Sequence, residues 1–194
     1  MQATMASRPT VVTPAASEPL TLTEAKKQVE VAAAVTLHDN QLTELISEVR
    51  DQWERDTDSI MITQTLSVTF DGFYSLMRLP VRPVTSITSI SYYDGANDSQ
   101  SLSTGVYELD APNQLVRLQY NQNYPTTASR WDAVTITFVA GYATAGDVPP
   151  AAKRAMLLQI GKWFNHTDMT EHITFAQDKA YKMLVDRFLR STYP

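Results

Sequence analysis

The spacing of apolar side chains changes from helical to strand-like and back to helical along the chain. In a long helical stretch near the N-terminus, apolar residues recur every three or four positions, as on one face of an amphipathic helix. This stripe consists of Leu42, Leu45, Ile46, Val49 and Trp53. A shorter helix is predicted before it, because Thr21 and Glu24 have the spacing of a capping box. Its predicted apolar face consists of Leu22, Ala25, Val29 and Ala32.

From residue 60 the period changes to two, which is the spacing of a β-strand with one apolar face. The apolar members of this alternation are Ile60, Ile62, Leu66, Val68 and Phe70. Further strands are predicted at residues 84–93, 106–110, 115–120 and 134–140. The pair Asp94-Gly95 is a hairpin signal. The sequence therefore predicts five or six strands in this part of the chain.

Helical spacing returns behind Pro149 and Pro150, which suit the first turn of a helix because its N–H groups have no intrahelical acceptor. Asp147 is predicted to cap this helix, and Asp39 or Asn40 to cap the second helix of the chain. The third helix has a predicted apolar stripe of Met156, Ile160, Trp163 and Phe164. A last helix is predicted at about residues 177–190, with an apolar face of Tyr181, Leu184, Val185, Phe188 and Leu189.

The order of elements is two helices, a block of strands and two further helices. Helices at both ends of a chain can bury their apolar stripes only against each other or against a partner. We therefore expect an α+β fold with a small helical bundle, formed by residues 21–58 and 147–191. An antiparallel β-domain, residues 59–146, is inserted between the second and third helices. Residues 1–20, rich in Ala, Thr, Ser and Pro, are expected to form an extended N-terminal arm.

Length and composition narrow the class of protein. The 194 residues suffice for one domain with an insertion, and the absence of cysteine excludes disulfides and thiolate chemistry. The formal net charge is −5, and the basic residues are scattered, so a free-standing DNA-binding protein is not indicated. No stretch approaches the roughly 20 apolar residues of a membrane span, and the N-terminus lacks an apolar signal core.

No motif of a catalytic or cofactor site is present in the sequence. There is no nucleophile elbow, no zinc-protease motif and no glycine-rich phosphate loop, so we predict no catalytic residue, no cofactor and no metal. The densest polar cluster consists of His166, Asp168, Glu171 and His172. These side chains could bind zinc or manganese in principle, but a solvated connection between two helices is the favoured interpretation.

Tyrosine is more abundant than a small core requires. Tyrosine is favoured where one end of the side chain is dry and the other is wet, as at protein interfaces. The candidate contacts with other subunits are Tyr92, Tyr93, Tyr124 and Tyr142.

The order of four segments resembles the head–tail connector (adaptor, or head-completion) proteins of tailed phages and related gene-transfer particles. The segments are EPLTLTEAKKQVEV, WERDTDSIMITQTLSVTFDGF, LPVRPVTSITSISYYDG and VTITFVAGYATAGDVPPAAKRAMLLQIGKWF. The resemblance spans about residues 18 to 190. The resemblance implies the fold already expected, a helical bundle with an inserted β-domain.

The resemblance also implies a structural virion protein rather than an enzyme, made in the host cytoplasm and located at the head–tail interface. Such proteins assemble after genome packaging as a homo-oligomeric ring, typically a dodecamer, beneath the portal protein. The ring would be part of the neck and would contact a tail, stopper or tail-terminator protein, with no membrane partner. Double-stranded DNA would pass through it without sequence-specific binding. At the C-terminal end, Phe188, Leu189 and Tyr193 are a candidate portal-docking tail.

Two other functions are compatible with the sequence. The β-domain could be a ligand- or glycan-binding module of a virion. The polar cluster at residues 166–172 could serve a metal-dependent hydrolase. A stoichiometric metal would favour the hydrolase, and incorporation into particles in fixed copy number would favour the structural protein.

Overall fold

A computed structural model describes residues 7–165 and 175–192, with side chains placed for residues 7–165 and 179–189. The chain forms two compact units. The β unit contains residues 7–16 and 63–141, and the helical unit contains the described residues of 17–62 and 142–192. The expected α+β fold, with four helices and antiparallel strands, is confirmed for the described part of the chain. No helix described there is long and apolar enough to cross a membrane.

The helical unit comprises α1 (Leu22–Gln28), α2 (Asp39–Thr57), α3 (Pro150–Asn165) and α4 (Phe175–Thr192). Helix α1 begins with the predicted capping box. The hydroxyl of Thr21 accepts from the N–H of Glu24 at 3.2 Å, and the Glu24 carboxylate accepts from the N–H of Thr21 at 2.7 Å. Helix α1 ends at Gln28, so the predicted helical positions Val29 and Ala32 lie beyond it. Its buried residues are Ala25 and Lys26.

The predicted cap of α2 is wrong. Helix α2 already begins at Asp39, so neither Asp39 nor Asn40 precedes it; the capping position is occupied by His38, which makes no side-chain capping bond. The physical reason is that the Asp39 carboxylate has another partner, the ammonium group of Lys26 at 2.6 Å.

The predicted cap of α3 is also wrong, although this helix begins at Pro150 as expected. The Asp147 carboxylate accepts from the backbone N–H and the hydroxyl of Thr144, at 3.0 Å and 2.7 Å. Asp147 therefore closes the loop before the helix instead of satisfying the N–H groups of the first helical turn.

The core of the helical unit is organised around Trp53, which is fully buried on α2. Its ring makes edge-on contacts with two rings of α4, Tyr181 at 6.0 Å and Phe188 at 5.4 Å between centroids. The other buried apolar side chains on α2 and α3 are Leu42, Ile46, Val49, Ala152, Ala155, Met156 and Ile160. The two N-terminal and the two C-terminal helices therefore pack into one core.

The β unit contains two antiparallel sheets. The order in the larger sheet is β1 (Thr10–Thr13), β2 (Gln64–Phe70), β8 (Val134–Ala140), β4 (Val84–Tyr93) and β5 (Ser99–Ser101). The smaller sheet has the order β3 (Leu76–Arg78), β7 (Leu115–Leu118) and β6 (Tyr107–Asp110). Ile60 and Ile62, which the period of two assigned to the first long strand, precede β2 and are buried residues of the helical unit.

Two neighbouring central strands, β2 and β8, keep the period of two. Their buried side chains are Leu66, Val68, Phe70, Val134, Ile136, Phe138 and Ala140. All seven residues of β2 pair in regular register with β8. Alternation in the sequence therefore predicts the buried face of both strands correctly.

Strand β4 has a different spacing, with apolar side chains at every third residue: Val84, Ile87 and Ile90. Their partners on β8 are Ala140, Phe138 and Ile136, which are two residues apart. Two register shifts, one between Val84 and Ser86 and one between Ile87 and Ser89, account for the difference. Each shift adds one residue to β4, as a β-bulge does. The extra residues return every third side chain of β4 to the same face.

Part of the expected N-terminal arm belongs to the larger sheet. Residues 10–13 form β1, which pairs with β2, and Ser7 exchanges hydrogen bonds with the backbone of Thr69 at 2.9 Å and 3.0 Å. All four side chains of β1 are exposed. The strand therefore buries no apolar face of its own, and its sequence carries no period that predicts it.

Candidate assembly surfaces

Metal-binding side chains do not converge in the described part of the chain. No group of three or more His, Asp or Glu residues lies close enough there to bind a metal ion. His38 packs edge-on against Phe164, with 5.2 Å between ring centroids. The polar cluster of His166, Asp168, Glu171 and His172 lies outside the described residues.

An open groove of about 610 Å³ lies in the helical unit between α2, α3 and α4. Its lining includes the ring of Trp163 and charged groups of both signs, from Asp56, Lys182 and Asp186. The hydroxyl of Tyr181 donates to the Asp56 carboxylate at 2.8 Å, and burial raises the pKa of this hydroxyl. Tyr181 therefore keeps its proton and remains a donor that ties α4 to α2. The mixed charges of the groove do not select an ionic ligand.

Three aromatic rings of the β unit lie in a row. Phe73 stacks on Tyr124, with 4.5 Å between centroids and 6° between ring planes, and meets Tyr92 edge-on at 5.4 Å. Burial raises the pKa of the Tyr124 hydroxyl to about 12. Two of the four candidate contact tyrosines, Tyr92 and Tyr124, therefore contact another ring of their own unit and are half-buried.

A third candidate, Tyr93, lies beneath the guanidinium of Arg130, which is 3.8 Å from the ring centroid. Arg130 also donates two hydrogen bonds to the Asp132 carboxylate, at 2.6 Å and 2.9 Å, and one to Asn97 at 3.1 Å. These bonds lower the pKa of Asp132, so the carboxylate stays ionised. The side chains on both sides of Trp131 are thus held in place by contacts within the β unit.

Two large aromatic side chains of the β unit are left almost fully in solvent. Trp131 is 94% exposed and Tyr120 is 99% exposed. Such side chains are enriched at protein interfaces, where they contribute large contact areas. Trp131 was not singled out from the sequence, because a single aromatic residue in a loop has no periodic neighbours that reveal its exposure.

The fourth candidate tyrosine, Tyr142, belongs to the helical unit, where it is half-buried and forms an isolated bridge with Ile62. The other three candidates belong to the β unit. The four tyrosines are therefore divided between two units. Their contact with other subunits stays a prediction.

Phe188 and Leu189 of the candidate portal-docking tail differ in burial. Phe188 is only 8% exposed and packs against Trp53, so it is part of the core of the helical unit. Leu189 is half-buried, and Tyr193 lies outside the described residues. Portal docking by this segment stays a prediction.

A buried lysine holds the loop between α1 and α2. The ammonium group of Lys26 donates to the carbonyl oxygens of Ala33 at 3.2 Å and Val35 at 2.9 Å, in addition to its ion pair with Asp39. The loop carries apolar side chains into solvent, with Leu37 84% exposed. An apolar loop is therefore held in one conformation by its own chain, which lowers the entropic cost of using it as a contact surface.

A half-buried carboxylate, Glu54, holds the chain where it leaves α2. Its Oε1 atom accepts from the N–H of Met61 at 2.8 Å. Burial is the largest influence on Glu54 and raises its pKa, while the Met61 N–H and the charge of Arg50 oppose the shift. The folded state therefore holds this proton to a higher pH than the unfolded state does.

Replacement of Glu54 by glutamine is expected to flatten the pH dependence of folding stability. Because the folded pKa is raised, the stabilising contribution of protonated Glu54 is complete below the unfolded pKa and is lost as pH rises through the folded pKa. Glu54→Gln keeps the acceptor for Met61 and removes the titration. The free energy of unfolding, measured with urea between pH 4 and 8, should rise relative to wild type as pH increases.

The matched control is Glu48→Gln, which removes the same charge from an exposed position of α2. Its stability profile should follow that of the wild-type chain. Parallel profiles for Glu54→Gln and wild type would contradict the assignment of a raised pKa to Glu54.

Comparison with known proteins identifies the fold. No protein-family model matches the sequence, and no curated protein matches it. A chain from the virion of a native gene transfer agent (GTA) particle is similar in structure, with a TM-score of 0.76 and 17% sequence identity. The match covers 94% of this chain and 95% of that chain.

Chains from particle necks are similar as well. A structure of the neck of an empty GTA particle, computed with C6 symmetry, gives a TM-score of 0.76 at 17% identity, over 94% of this chain and 95% of that chain. A structure of the neck of the native GTA particle, computed with C12 symmetry, gives 0.71 at 18% identity, over 94% of each chain. The resemblance found in the four sequence segments is thereby confirmed at the level of the fold.

Proposed function

We propose that this chain is a structural protein of the neck of a phage or gene-transfer particle. Copies form a ring beneath the portal and connect the DNA-filled head to the tail. The observation that carries the proposal is the structural likeness to chains of GTA particles, two of them described as necks, over 94% of this chain. Both units of the molecule are included in that likeness, so neither needs a separate function.

The surfaces of the two units support a protein that acts by contact rather than by catalysis. In the described residues, Trp131 and Leu37 are large apolar side chains left in solvent, beside residues held by hydrogen bonds within the chain. Exposed aromatic and apolar side chains are the groups that bind neighbouring subunits. We assign contacts with neighbouring copies to Tyr92, Tyr93, Tyr124 and Tyr142 as part of the same proposal.

The charge of the chain supports a conduit through which DNA can slide. Each copy carries a formal charge of −5, so a ring of copies is strongly acidic. Several basic side chains are neutralised within the chain by carboxylates: Lys26, Arg50, Arg117, Arg130 and Lys153. Each lysine or arginine bound to a DNA phosphate would add salt-dependent affinity. Five of the 16 basic residues are held by carboxylates in this way and are less available to phosphates, and we propose that DNA passes through the ring without sequence-specific binding.

The C-terminal segment is the part of the chain that we assign to the portal. The side chains that remain for docking are Leu189 and Tyr193, since Phe188 is committed to the core of the helical unit. The opposite side of the ring is assigned to a tail, stopper or tail-terminator protein.

The proposal is tested by removing the gene from a producing strain. We expect DNA-filled heads and free tails to accumulate, because the joint between them is missing, and electron microscopy of the purified fractions measures this. A wild-type copy of the gene should restore joined particles. Normal joined particles in the absence of the chain would overturn the proposal. Joined particles that no longer adsorb to cells would favour the glycan-binding alternative.

The same strain tests the docking segment. A copy carrying Leu189→Asp and Tyr193→Ala should produce a folded protein that fails to restore joined particles. The matched control is Met183→Ala, which changes an apolar side chain of α4 that is 62% exposed. Full restoration by the Leu189→Asp, Tyr193→Ala chain would contradict the portal assignment and leave the neck assignment intact.

A further inference from the structure

The two edge strands of the larger sheet in the β unit are short, exposed and free of charged side chains. Strand β1 has the sequence TVVT and strand β5 has the sequence SQS. An edge strand presents unpaired N–H and C=O groups that can pair with another chain. Charged side chains and internal prolines usually prevent such pairing, and neither strand contains them; Pro9 and Pro14 only flank β1.

Strand β1 leaves two apolar side chains uncovered at the edge of the sheet. Val11 is 52% exposed and Val12 is 55% exposed. The pairing with β2 has a register shift between Val11 and Thr13, so Val12 is an extra residue of β1, as in a β-bulge, and has no partner of its own on β2. A further strand beside β1 would lie about 4.7–4.9 Å from it and cover part of both side chains.

The direction of the strands determines how two sheets can join. All four junctions in the order β1, β2, β8, β4, β5 are antiparallel. Because the sheet has five strands, β1 and β5 run in the same direction. In a ring of many copies each copy is only slightly rotated relative to the next, so β5 of one copy and β1 of the next would be parallel. A twofold axis would instead pair β1 with β1, or β5 with β5, in antiparallel fashion.

We propose that β1 of one copy pairs in parallel with β5 of the next copy, which joins the five-stranded sheets edge to edge around the ring. The partner is a second copy of this chain, and the inference rests on the proposed ring. Each copy then offers one edge and receives the other, which is the head-to-tail arrangement that a rotational ring requires. A closed ring of this kind leaves no edge of the larger sheet open to other chains.

The absence of cysteine in the chain allows a direct test by cross-linking. Val12→Cys places a thiol on β1 and Ser101→Cys places one on β5, both at exposed positions. A second pair, Val12→Cys with Ser99→Cys, samples a register shifted by two residues. Assembled rings of each double variant are treated with a short bismaleimide and separated on a denaturing gel. We expect a ladder of covalent multimers from at least one double variant and uncross-linked chains from every single variant.

The outcomes separate this inference from the proposed function. Rings seen by electron microscopy that give no ladder with either pair overturn the edge pairing and leave the neck assignment standing. Dimers from Val12→Cys alone show a twofold contact and also overturn it. Failure of the wild-type chain to form rings overturns both the proposed neck ring and the edge pairing. Val12→Lys, which puts a charge on the edge, should abolish rings without lowering the thermal stability of the monomer; unchanged rings count against the pairing.

Discussion

Replacement of Trp53 by alanine is expected to unfold the helical unit under conditions in which the wild-type chain remains folded. Trp53 is fully buried and contacts the rings of Tyr181 and Phe188, so its removal leaves a large cavity between α2 and α4. A buried tryptophan replaced by alanine costs about 3–5 kcal/mol. The total stability of a typical domain is about 5–15 kcal/mol, so most of it would be lost. Guanidinium denaturation followed by far-ultraviolet circular dichroism measures the change.

The control for this variant is Trp131→Ala, which removes the same side chain from a position that is 94% exposed. Surface substitutions of this kind usually change stability by less than about 0.5 kcal/mol. A Trp53→Ala chain as stable as the Trp131→Ala chain would show that the N-terminal and C-terminal helices do not share a core around Trp53.

Replacement of Lys26 by methionine is expected to release the loop between α1 and α2. Methionine keeps most of the apolar stem but removes the donor to the Ala33 and Val35 carbonyl oxygens and the partner of Asp39. Unpaired buried polar groups cost about 1–3 kcal/mol, and breaking a buried ion pair costs more. Because Asp39 is partly exposed, we expect a loss of about 2 kcal/mol in unfolding free energy. Amide hydrogen exchange in residues 31–37 should accelerate at the same time.

Lys27→Met is the matched control, since Lys27 is the next residue of α1 and is exposed. Its effect on loop exchange should be negligible. In a double-mutant cycle with Asp39→Asn, the sum of the two single losses in unfolding free energy should exceed the loss in the double variant, because the two side chains interact directly. Additive losses, or unchanged exchange in Lys26→Met, would contradict the role of Lys26 in holding the loop.

The sequence predicts those elements whose apolar spacing matches their geometry. Helix α2 and strands β2 and β8 follow the ordinary periods of 3.6 and 2, and their buried faces agree with prediction. Strand β1 could not be predicted, because all of its side chains are exposed and its register comes from backbone hydrogen bonds to β2. The two capping carboxylates were misassigned for a related reason. Asp39 binds Lys26, which is distant in sequence, and Asp147 binds Thr144, which lies three residues before it in the loop.

The candidate surfaces were less predictable than the fold. Composition indicates that many tyrosines exceed the needs of a core, but it does not show which rings are used within the chain. Phe73 contacts the rings of Tyr92 and Tyr124, and the guanidinium of Arg130 lies over the ring of Tyr93. These partners are distant in sequence. Phe188 continues the stripe of α4, so helical spacing correctly places it in a core. The resemblance in segment order suggested a docking role for that residue, which competes with its packing against Trp53.

The two bulges of β4 also determine where the fold can tolerate a change in the length of this strand. Deleting one residue from a regular strand turns every later side chain over, which destroys the core face. In β4 a deletion of Ser86 would bring Val84 and Ile87 to a separation of two, the spacing of their partners Ala140 and Phe138. We therefore expect a one-residue deletion at either bulge to be absorbed locally. A β4 strand shortened at either bulge would still place Val84, Ile87 and Ile90 opposite the same partners on β8.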